Sequence, residues 1–232
     1  MLLKDFDLEG LFESSENGKV NISEQVYFYI LKEIFLNECK EGSRITEAQI
    51  AEKLGVSNGP VREAFGRLRT DGWIETIPNM GSFVVNYQDR VKFRSLSIDR
   101  CIIETGCAAK LAGDANYRQL AELEEIVNEL DAALSNEDSI SYRDADLKFH
   151  SKVVNFSASE RLFNLWLHST LQLFAFGYMP RTAGEYLSNG VDVQLKGASH
   201  RALFEAIALR DQFKAREFFQ KHLDYSLERI PT

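Results

Sequence analysis

The sequence has few of the residues that mark secreted, fibrous or membrane proteins: three cysteines, four prolines and 14 glycines among 232 residues. Cys39, Cys101 and Cys107 are odd in number and lack a C-x-x-C spacing, so they predict neither a disulfide framework nor a zinc or redox pair. The most apolar run, residues 171–179, is about half the ~20 residues that a membrane helix needs. We therefore assign the thiols no role and expect no membrane span.

The N-terminal 19 residues also lack the pattern of an export signal. Acidic residues stand where a secretory signal carries positive charge, and no continuous apolar segment follows them. We interpret residues 1–19 as an acidic leader and expect a cytoplasmic location. The remaining chain has an ordinary globular composition, with 44% hydrophobic and 27% charged residues, and its length favours two domains.

The sequence has no overall excess of positive charge, which by itself disfavours a nucleic-acid partner. The formal net charge is −8 at pH 7. The distribution of charge matters more than its sum, however. Between residues 57 and 70, three arginines at 62, 67 and 69 stand against Glu63 alone. A local basic surface is therefore predicted within an acidic chain.

Residues 20–86 predict three helices and a β-hairpin. Apolar residues recur at helical spacing over 22–36, 46–54 and 57–70, and the last two helices are joined by a tight turn. Segments 73–77 and 82–85 are rich in β-branched and aromatic residues, which favours a hairpin, or wing. The expected caps are Ser23, Thr46 with Gln49 in a capping box, and Ser57, while Gly55 ends the second helix.

The rest of the chain shows only helical periodicity and predicts an antiparallel bundle. We place a hinge at Asn86–Asp89 and assign residues 89–230 to this second domain. The predicted bundle helices are 89–113, 116–135, 138–157, 159–177, 191–209 and 211–228.

The third helix has the pattern of a helix that reads DNA. Arg62 and Arg69 are seven residues apart and therefore share one face, while the opposite face carries Val61, Phe65 and Leu68. Such a helix fits the major groove while neighbouring elements contact phosphates. An ordinary solvated arginine face accounts for the periodicity equally well, so the spacing alone leaves both interpretations open.

This region resembles the GntR family of regulators. The segment IAEKLGVSNGPVREA at 50–64 is followed by DGW at 71–73 and PNMG at 78–81. The resemblance covers roughly residues 20–85 and implies a winged helix-turn-helix that binds double-stranded operator DNA. It makes Ser57, Arg62 and Gly81 DNA contacts, the glycine in the minor groove, and we add Asn58 and Arg69 from the same helix.

Two departures from the GntR pattern predict weaker binding and an altered DNA preference. Asn58-Gly59 stands where the family usually has Arg-Thr before the proline. Ala48 stands where some members have another DNA-contacting arginine.

Three of the four histidines occur where a bundle can gather them. Asp146 and His150 are one helical turn apart, so both project from one face, as metal-binding pairs on helices do. His200 and His222 reach matching heights if the last two helices are antiparallel. A surface ion pair is the alternative for the Asp-His spacing, and we interpret His168 as a packed or surface histidine.

The second domain is similar to the FCD effector-binding domain of FadR-type GntR regulators, in its VanR-like six-helix form. The matching segments are DLKFH at 146–150, SHRALFEAI at 199–207 and KHL at 221–223. In that family an aspartate and three histidines hold a divalent metal, often zinc or nickel. The resemblance thereby assigns Asp146, His150, His200 and His222 as metal ligands.

The effector is expected to bind against this metal. Open coordination positions on a divalent metal suit the oxygen donors of a small carboxylate. Arg100, four residues before Glu104, is similar to a family arginine that faces the effector cavity, and a surface ion pair is its alternative.

The sequence thus predicts a mainly α protein, with an N-terminal winged helix-turn-helix domain and a C-terminal all-α antiparallel bundle. We expect a homodimeric transcriptional regulator, not an enzyme, whose operator affinity responds to a small carboxylate at a metal site. Two alternatives stay open. One is a metal-dependent, hydrolase-like enzyme, because three histidines and a carboxylate around a metal can activate water. The other is a DNA-binding dimer that responds to no ligand.

Overall fold

The computed structural model describes residues 21–35, 38–86, 90–175 and 199–228. The chain divides into two compact units, Met1–Asp89 and Arg90–Thr232. The leader predicted at 1–19, residues 87–89 of the predicted hinge, and residues 191–198 of the fifth predicted bundle helix lie outside the described residues. Among the described helices, none combines the length and apolar character that a membrane crossing requires.

Within the residues that the structure describes, the first unit contains three helices and a three-stranded sheet. The chain order is α1 (Ile22–Phe35), β1 (Arg44–Ile45), α2 (Glu47–Leu54), α3 (Asn58–Thr70), β2 (Ile74–Ile77) and β3 (Gly81–Val84). All strand pairs are antiparallel, and β3 lies between β1 and β2. The predicted hairpin is therefore present, whereas β1 was not predicted, because a two-residue strand has no measurable periodicity. The core is formed by Tyr27, Ile30, Leu31, Phe65, Leu68, Trp73, Ile74 and Val84.

The caps of α1 and α3 differ from those predicted. Asn21 caps α1, because its Oδ1 accepts the backbone N–H of Glu24 at 2.8 Å. Ser23 lies inside the first turn and donates its hydroxyl to the same oxygen. Ser57 occupies the N-cap position of α3 but makes no side-chain capping hydrogen bond.

The ends of α2 follow the sequence more closely. Thr46 Oγ1 accepts the backbone N–H of Gln49 at 3.3 Å, and its hydroxyl donates to Gln49 Oε1 at 2.8 Å. The first of these bonds is one half of the expected capping box. In place of the other half, the Gln49 side chain contacts the Thr46 hydroxyl and not the Thr46 backbone N–H. Gly55 ends the helix with φ 65°, a left-handed conformation that glycine adopts at little cost.

The second unit is a helical bundle. The helices that the structure describes in this unit are α4 (Arg90–Asp114), α5 (Tyr117–Ser135), α6 (Ser139–Ser157), α7 (Glu160–Ala175), α8 (His200–Ala208) and α9 (Gln212–Glu228). Helix α4 packs against α6, α7, α8 and α9 and is the central element. Short connections join α5 to α6 and α8 to α9, and each pair packs together, which makes both pairs antiparallel neighbours.

Five of the six predicted bundle helices agree with the described ones to within two residues, and the fifth does not. Helix α8 begins at His200, not at residue 191, because Ser199 has an extended backbone and its side chain accepts the N–H of Ala202. This start position matters, because it makes the first residue of α8 a candidate ligand.

Candidate metal centre and DNA-binding surface

The second unit gathers the four predicted metal ligands in its interior. Helix α6 carries Asp146 and His150, α8 begins with His200, and α9 carries His222. One ligand atom from each residue lies within 4.8 Å of the other three, and all four side chains are buried. We call these four residues the His/Asp cluster.

The ring nitrogens of the His/Asp cluster point towards one another. His200 Nε2 lies 3.0 Å from Asp146 Oδ1 and 3.3 Å from His150 Nε2. The His222 ring centroid is 5.1 Å from that of His150 and 4.7 Å from that of His200. Two imidazole Nε2 lone pairs at such a distance repel unless a proton or a cation lies between them. The donor set of three imidazoles and one carboxylate fits a divalent transition metal.

Aromatic side chains hold the histidine rings in place. Phe149 packs edge-on against His200, with ring centroids 5.3 Å apart, and stacks on Phe219 at 6.1 Å. Phe219 also contacts His150 edge-on at 6.1 Å. The cluster thus lies against an apolar wall, which limits the rotation of the rings and their contact with water.

Glu104 is a candidate functional residue to which the sequence analysis assigned no role of its own. This α4 side chain is fully buried, and its Oε2 lies 2.6 Å from His150 Nδ1. Its Oε1 accepts hydrogen bonds from Arg100 Nε and, at 2.7 Å, from Trp166 Nε1. A carboxylate on Nδ1 selects the tautomer that leaves the Nε2 lone pair free for a metal. A signal was available, because Glu104 shares its helix face with the apolar residues Cys101, Ala108 and Leu111.

The pKa shifts of Asp146, Glu104 and His200 suit metal ligation. Burial raises the pKa of Asp146, but the His200 hydrogen bond and the charges of His150 and Arg100 outweigh it and hold this pKa well below its usual range. Burial likewise opposes ionisation of Glu104, yet Arg100 and His150 lower its pKa to about 2. Burial lowers the pKa of His200 and so favours the neutral ring. Metal ligation requires ionised carboxylates and neutral imidazoles.

The structure places the other singled-out residues of this unit as follows. Arg100 is buried, so the alternative of a surface ion pair with Glu104 is wrong, while its role towards an effector stays a prediction. His168 is half-buried on α7 and is not part of the His/Asp cluster. Burial raises the pKa of the Cys101 and Cys107 thiols to about 11, which keeps both protonated.

The residues predicted to contact DNA lie on the surface of the first unit. Helix α3 buries Val61, Ala64, Phe65 and Leu68, and its opposite face exposes Arg62 and Arg69. Arg62 Nε lies 3.3 Å from Glu47 Oε2 of α2, which holds the arginine in an exposed ion pair. Ser57 and Asn58 are exposed at the start of α3, and Gly81 begins β3 with φ 111°.

Comparison with known proteins identifies the family. Residues 22–84 match the family described as bacterial regulatory proteins, gntR family, and residues 99–225, more than half of the chain, match the FCD domain. The chain belongs to the GntR family. The FCD domain places it in the FadR-like subfamily. A GntR domain implies DNA binding and an FCD domain implies a small-molecule effector, so this protein is a transcriptional regulator, and the hydrolase interpretation is wrong.

Relatives that match most of the chain are regulators of the same kind. The uncharacterized HTH-type transcriptional regulator YdhC of Bacillus subtilis is 27% identical over 217 residues, which cover 89% of each chain. A probable D-xylose utilization operon transcriptional repressor of Paenarthrobacter nicotinovorans is 24% identical over 88% of this chain and 87% of its own. The solved structure of E. coli McbR/YncC has the same fold, with a TM-score of 0.64 and 19% identity over 91% of this chain and 98% of its own.

Proposed function

We propose that this GntR regulator binds operator DNA under the control of a small carboxylate held at a divalent metal, zinc or nickel, in its second unit. The observation that carries the proposal is the His/Asp cluster, in which four buried ligand atoms lie within 4.8 Å of one another. We assign DNA binding to residues 20–86, and metal binding, effector binding and dimerisation to residues 89–230.

Asp146, His150, His200 and His222 would hold the metal. When bound, it supplies open coordination positions that hard oxygen donors can fill. Asp146 is the only anionic ligand of the set, so a divalent ion there retains positive charge. The second buried carboxylate, Glu104, is paired with Arg100 and contacts His150 on the side away from the other ligands. An anionic guest is therefore favoured over a neutral or cationic one.

Arg100 is our candidate for a direct effector contact. Its guanidinium is buried and lies close enough to Asp146 to lower the pKa of that carboxyl. Guanidinium pairs with carboxylate through two parallel hydrogen bonds in a low-dielectric interior. The buried position favours an effector contact of this kind, because pairing there is screened by little water.

The DNA-bound form is proposed to be a homodimer on an inverted repeat. One recognition helix reads only a few base pairs, and two-fold symmetry doubles the contact. In each protomer, Ser57, Asn58, Arg62, Arg69 and Gly81 would contact the duplex. Arg62 would leave Glu47 and contact DNA instead. The Arg62–Glu47 ion pair is exposed, so breaking it costs little free energy.

A thermal-shift screen of carboxylates on metal-loaded, full-length protein tests the effector proposal. We expect small hydroxy acids, sugar acids or short organic acids to raise the Tm, and Asp146→Ala and Arg100→Ala to abolish the shift. His168→Ala is the matched control, since this histidine is outside the cluster. Hits should also change operator affinity, typically 5- to 150-fold, and DNA should change effector affinity by the same factor.

Two results would contradict the proposal. The first is stabilisation by neutral or cationic compounds only, or by acids whose effect survives both substitutions. The second is an operator affinity that no carboxylate changes, which would favour a ligand-independent DNA-binding dimer.

A further inference from the structure

Strand β1 brings an arginine to the wing, which we define as β2, β3 and the turn at 78–80. Arg44 pairs in register with Phe83, and its side chain extends over Gly81. A methyl group placed on Gly81 would lie 3.2 Å from Arg44 Nε and 3.4 Å from its Nη2. The guanidinium therefore packs against the backbone at the start of β3, and a Cβ at position 81 would make a tight contact with it.

Among the residues that the structure describes, Arg44 has no acidic partner, unlike two other arginines of this unit. Arg62 pairs with Glu47 at 3.3 Å, and Arg67 lies 3.7 Å from Asp71 and over the Tyr27 ring. Within the residues that the structure describes, no carboxylate lies within ion-pair distance of Arg44. Its side chain is exposed, so its charge is available to a partner without the loss of an existing ion pair.

The wing itself carries no charge near its turn. Residues 76–82 read TIPNMGS, and Asn79 and Met80 are exposed. Ile45, the neighbour of Arg44 in β1, is buried, so Arg44 lies on the outer face of the sheet, where Phe83 separates it from Glu75 on β2. The positive charge at this end of the hairpin thus comes from β1, an element outside the wing.

We propose that Arg44 is a DNA-contacting residue that binds a backbone phosphate beside the wing, and that its guanidinium is positioned by packing on the backbone of Gly81. The inference rests on DNA binding by the winged helix-turn-helix domain. An exposed, unpaired guanidinium beside a neutral, narrow hairpin suits a phosphate oxygen, since guanidinium and phosphate form charge-assisted hydrogen bonds. The absence of a side chain at position 81 lets the guanidinium lie close to the strand.

The experiment measures fluorescence anisotropy of full-length variants on two duplexes: one selected by the unaltered protein from a random pool, and the random pool itself. A phosphate contact carries no sequence information, so Arg44→Ala should weaken binding to both by about tenfold. The slope of log affinity against log salt should become shallower by about 0.9. Arg44→Lys should restore most of the affinity, because a lysine also pairs with phosphate.

Lys32→Ala is the matched control, because Lys32 is another exposed cation of the same unit, on α1. Unchanged affinity and salt slope in Arg44→Ala would overturn the proposal. An equal loss in Lys32→Ala would also overturn it, because the effect would then be one of net charge.

A double-mutant cycle tests whether the Arg44 guanidinium is positioned by packing on Gly81. The backbone strain of Gly81→Ala at φ 111° acts in either background, whereas displacement of the guanidinium requires Arg44. Gly81→Ala should therefore cost several-fold less DNA affinity in the Arg44→Ala background than in the unaltered protein. Equal losses of DNA affinity in both backgrounds would overturn the role of Gly81 in positioning the Arg44 guanidinium. Far-ultraviolet circular dichroism melts of each variant exclude unfolding as the cause.

Discussion

At the scale of single residues, Glu104 is the group on which the geometry of the His/Asp cluster depends. Glu104 is not a member of the cluster. In the described hydrogen bonds and ion pairs it contacts one member, His150, whose Nδ1 lies 2.6 Å from its Oε2. Arg100 and Trp166 fix Glu104 in turn. We therefore treat it as a positioning residue, which sets the ring orientation of one ligand.

The first prediction concerns this residue: Glu104→Gln should weaken metal affinity by roughly 10- to 100-fold, the usual cost of losing such a partner of a ligand histidine. Competition with a chromophoric chelator measures the affinity. The Tm of metal-free protein shows whether the variant folds, and Trp166→Phe, which removes one hydrogen bond to Glu104, should give a smaller loss in the same direction.

Glu122→Gln is the matched control for that experiment. Glu122 is a partly exposed α5 glutamate that pairs with Lys152 and Arg118 and lies outside the His/Asp cluster. Unchanged metal affinity in Glu104→Gln, or an equal loss in both variants, would contradict the positioning role.

At the scale of elements, the start of α8 determines where His200 lies. Ser199 Oγ accepts the N–H of Ala202 at 3.2 Å, which fixes the first turn of a helix of nine residues. His200 is the first residue of that turn, so fraying of α8 would move a candidate ligand directly. A nine-residue helix has few hydrogen bonds of its own and depends on its cap and its packing.

The second prediction follows: Ser199→Ala should lower the free energy of unfolding by about 1 kcal/mol and also weaken metal binding. Urea unfolding and chelator competition give the two quantities. Ser199→Thr keeps the hydroxyl and should restore both. Thr46→Ala, which removes the cap of α2 in the first unit, should cost similar stability and leave metal affinity unchanged. Lost stability with full metal affinity in Ser199→Ala would show that the cap does not position His200.

At the scale of the whole molecule, a metal in the His/Asp cluster would link three helices of the second unit. The candidate ligands come from α6, α8 and α9. The first and the last of them, Asp146 and His222, are 76 positions apart in the sequence. A ligand that binds only the folded form stabilises it by mass action.

The third prediction is that removal of the metal with a chelator lowers the Tm. The free energy of unfolding should fall by about 2.7 kcal/mol if free metal had been present at 100 times its Kd. His150→Ala and His222→Ala should melt as chelated protein does, and His168→Ala should retain the response to chelator. Protein that contains no divalent metal, takes none up and melts identically with chelator would show that the site assignment is wrong.

The sequence by itself determined the features that depend on neighbours along the chain. Helical periodicity and the glycines that end helices are local features of the sequence, so the helix-turn-helix, the hairpin and most bundle helices could be predicted. The spacing of Asp146 and His150 likewise placed both on one face of α6, because residues four apart share a face. The motif at 50–64 was specific enough to indicate the family, which the comparisons confirmed.

The tertiary structure decided what depends on contacts between distant residues. Glu104 and His150 are 46 positions apart, and nothing in the local pattern shows that α4 brings this carboxylate to that ring. Arg44 reaches Gly81 only because a two-residue strand pairs with β3. Burial also decides how strong the Arg100–Glu104 pair is. The same spacing gives a weak ion pair on a solvated helix surface, but in the bundle interior water screens the pair little, and it supports a candidate metal ligand.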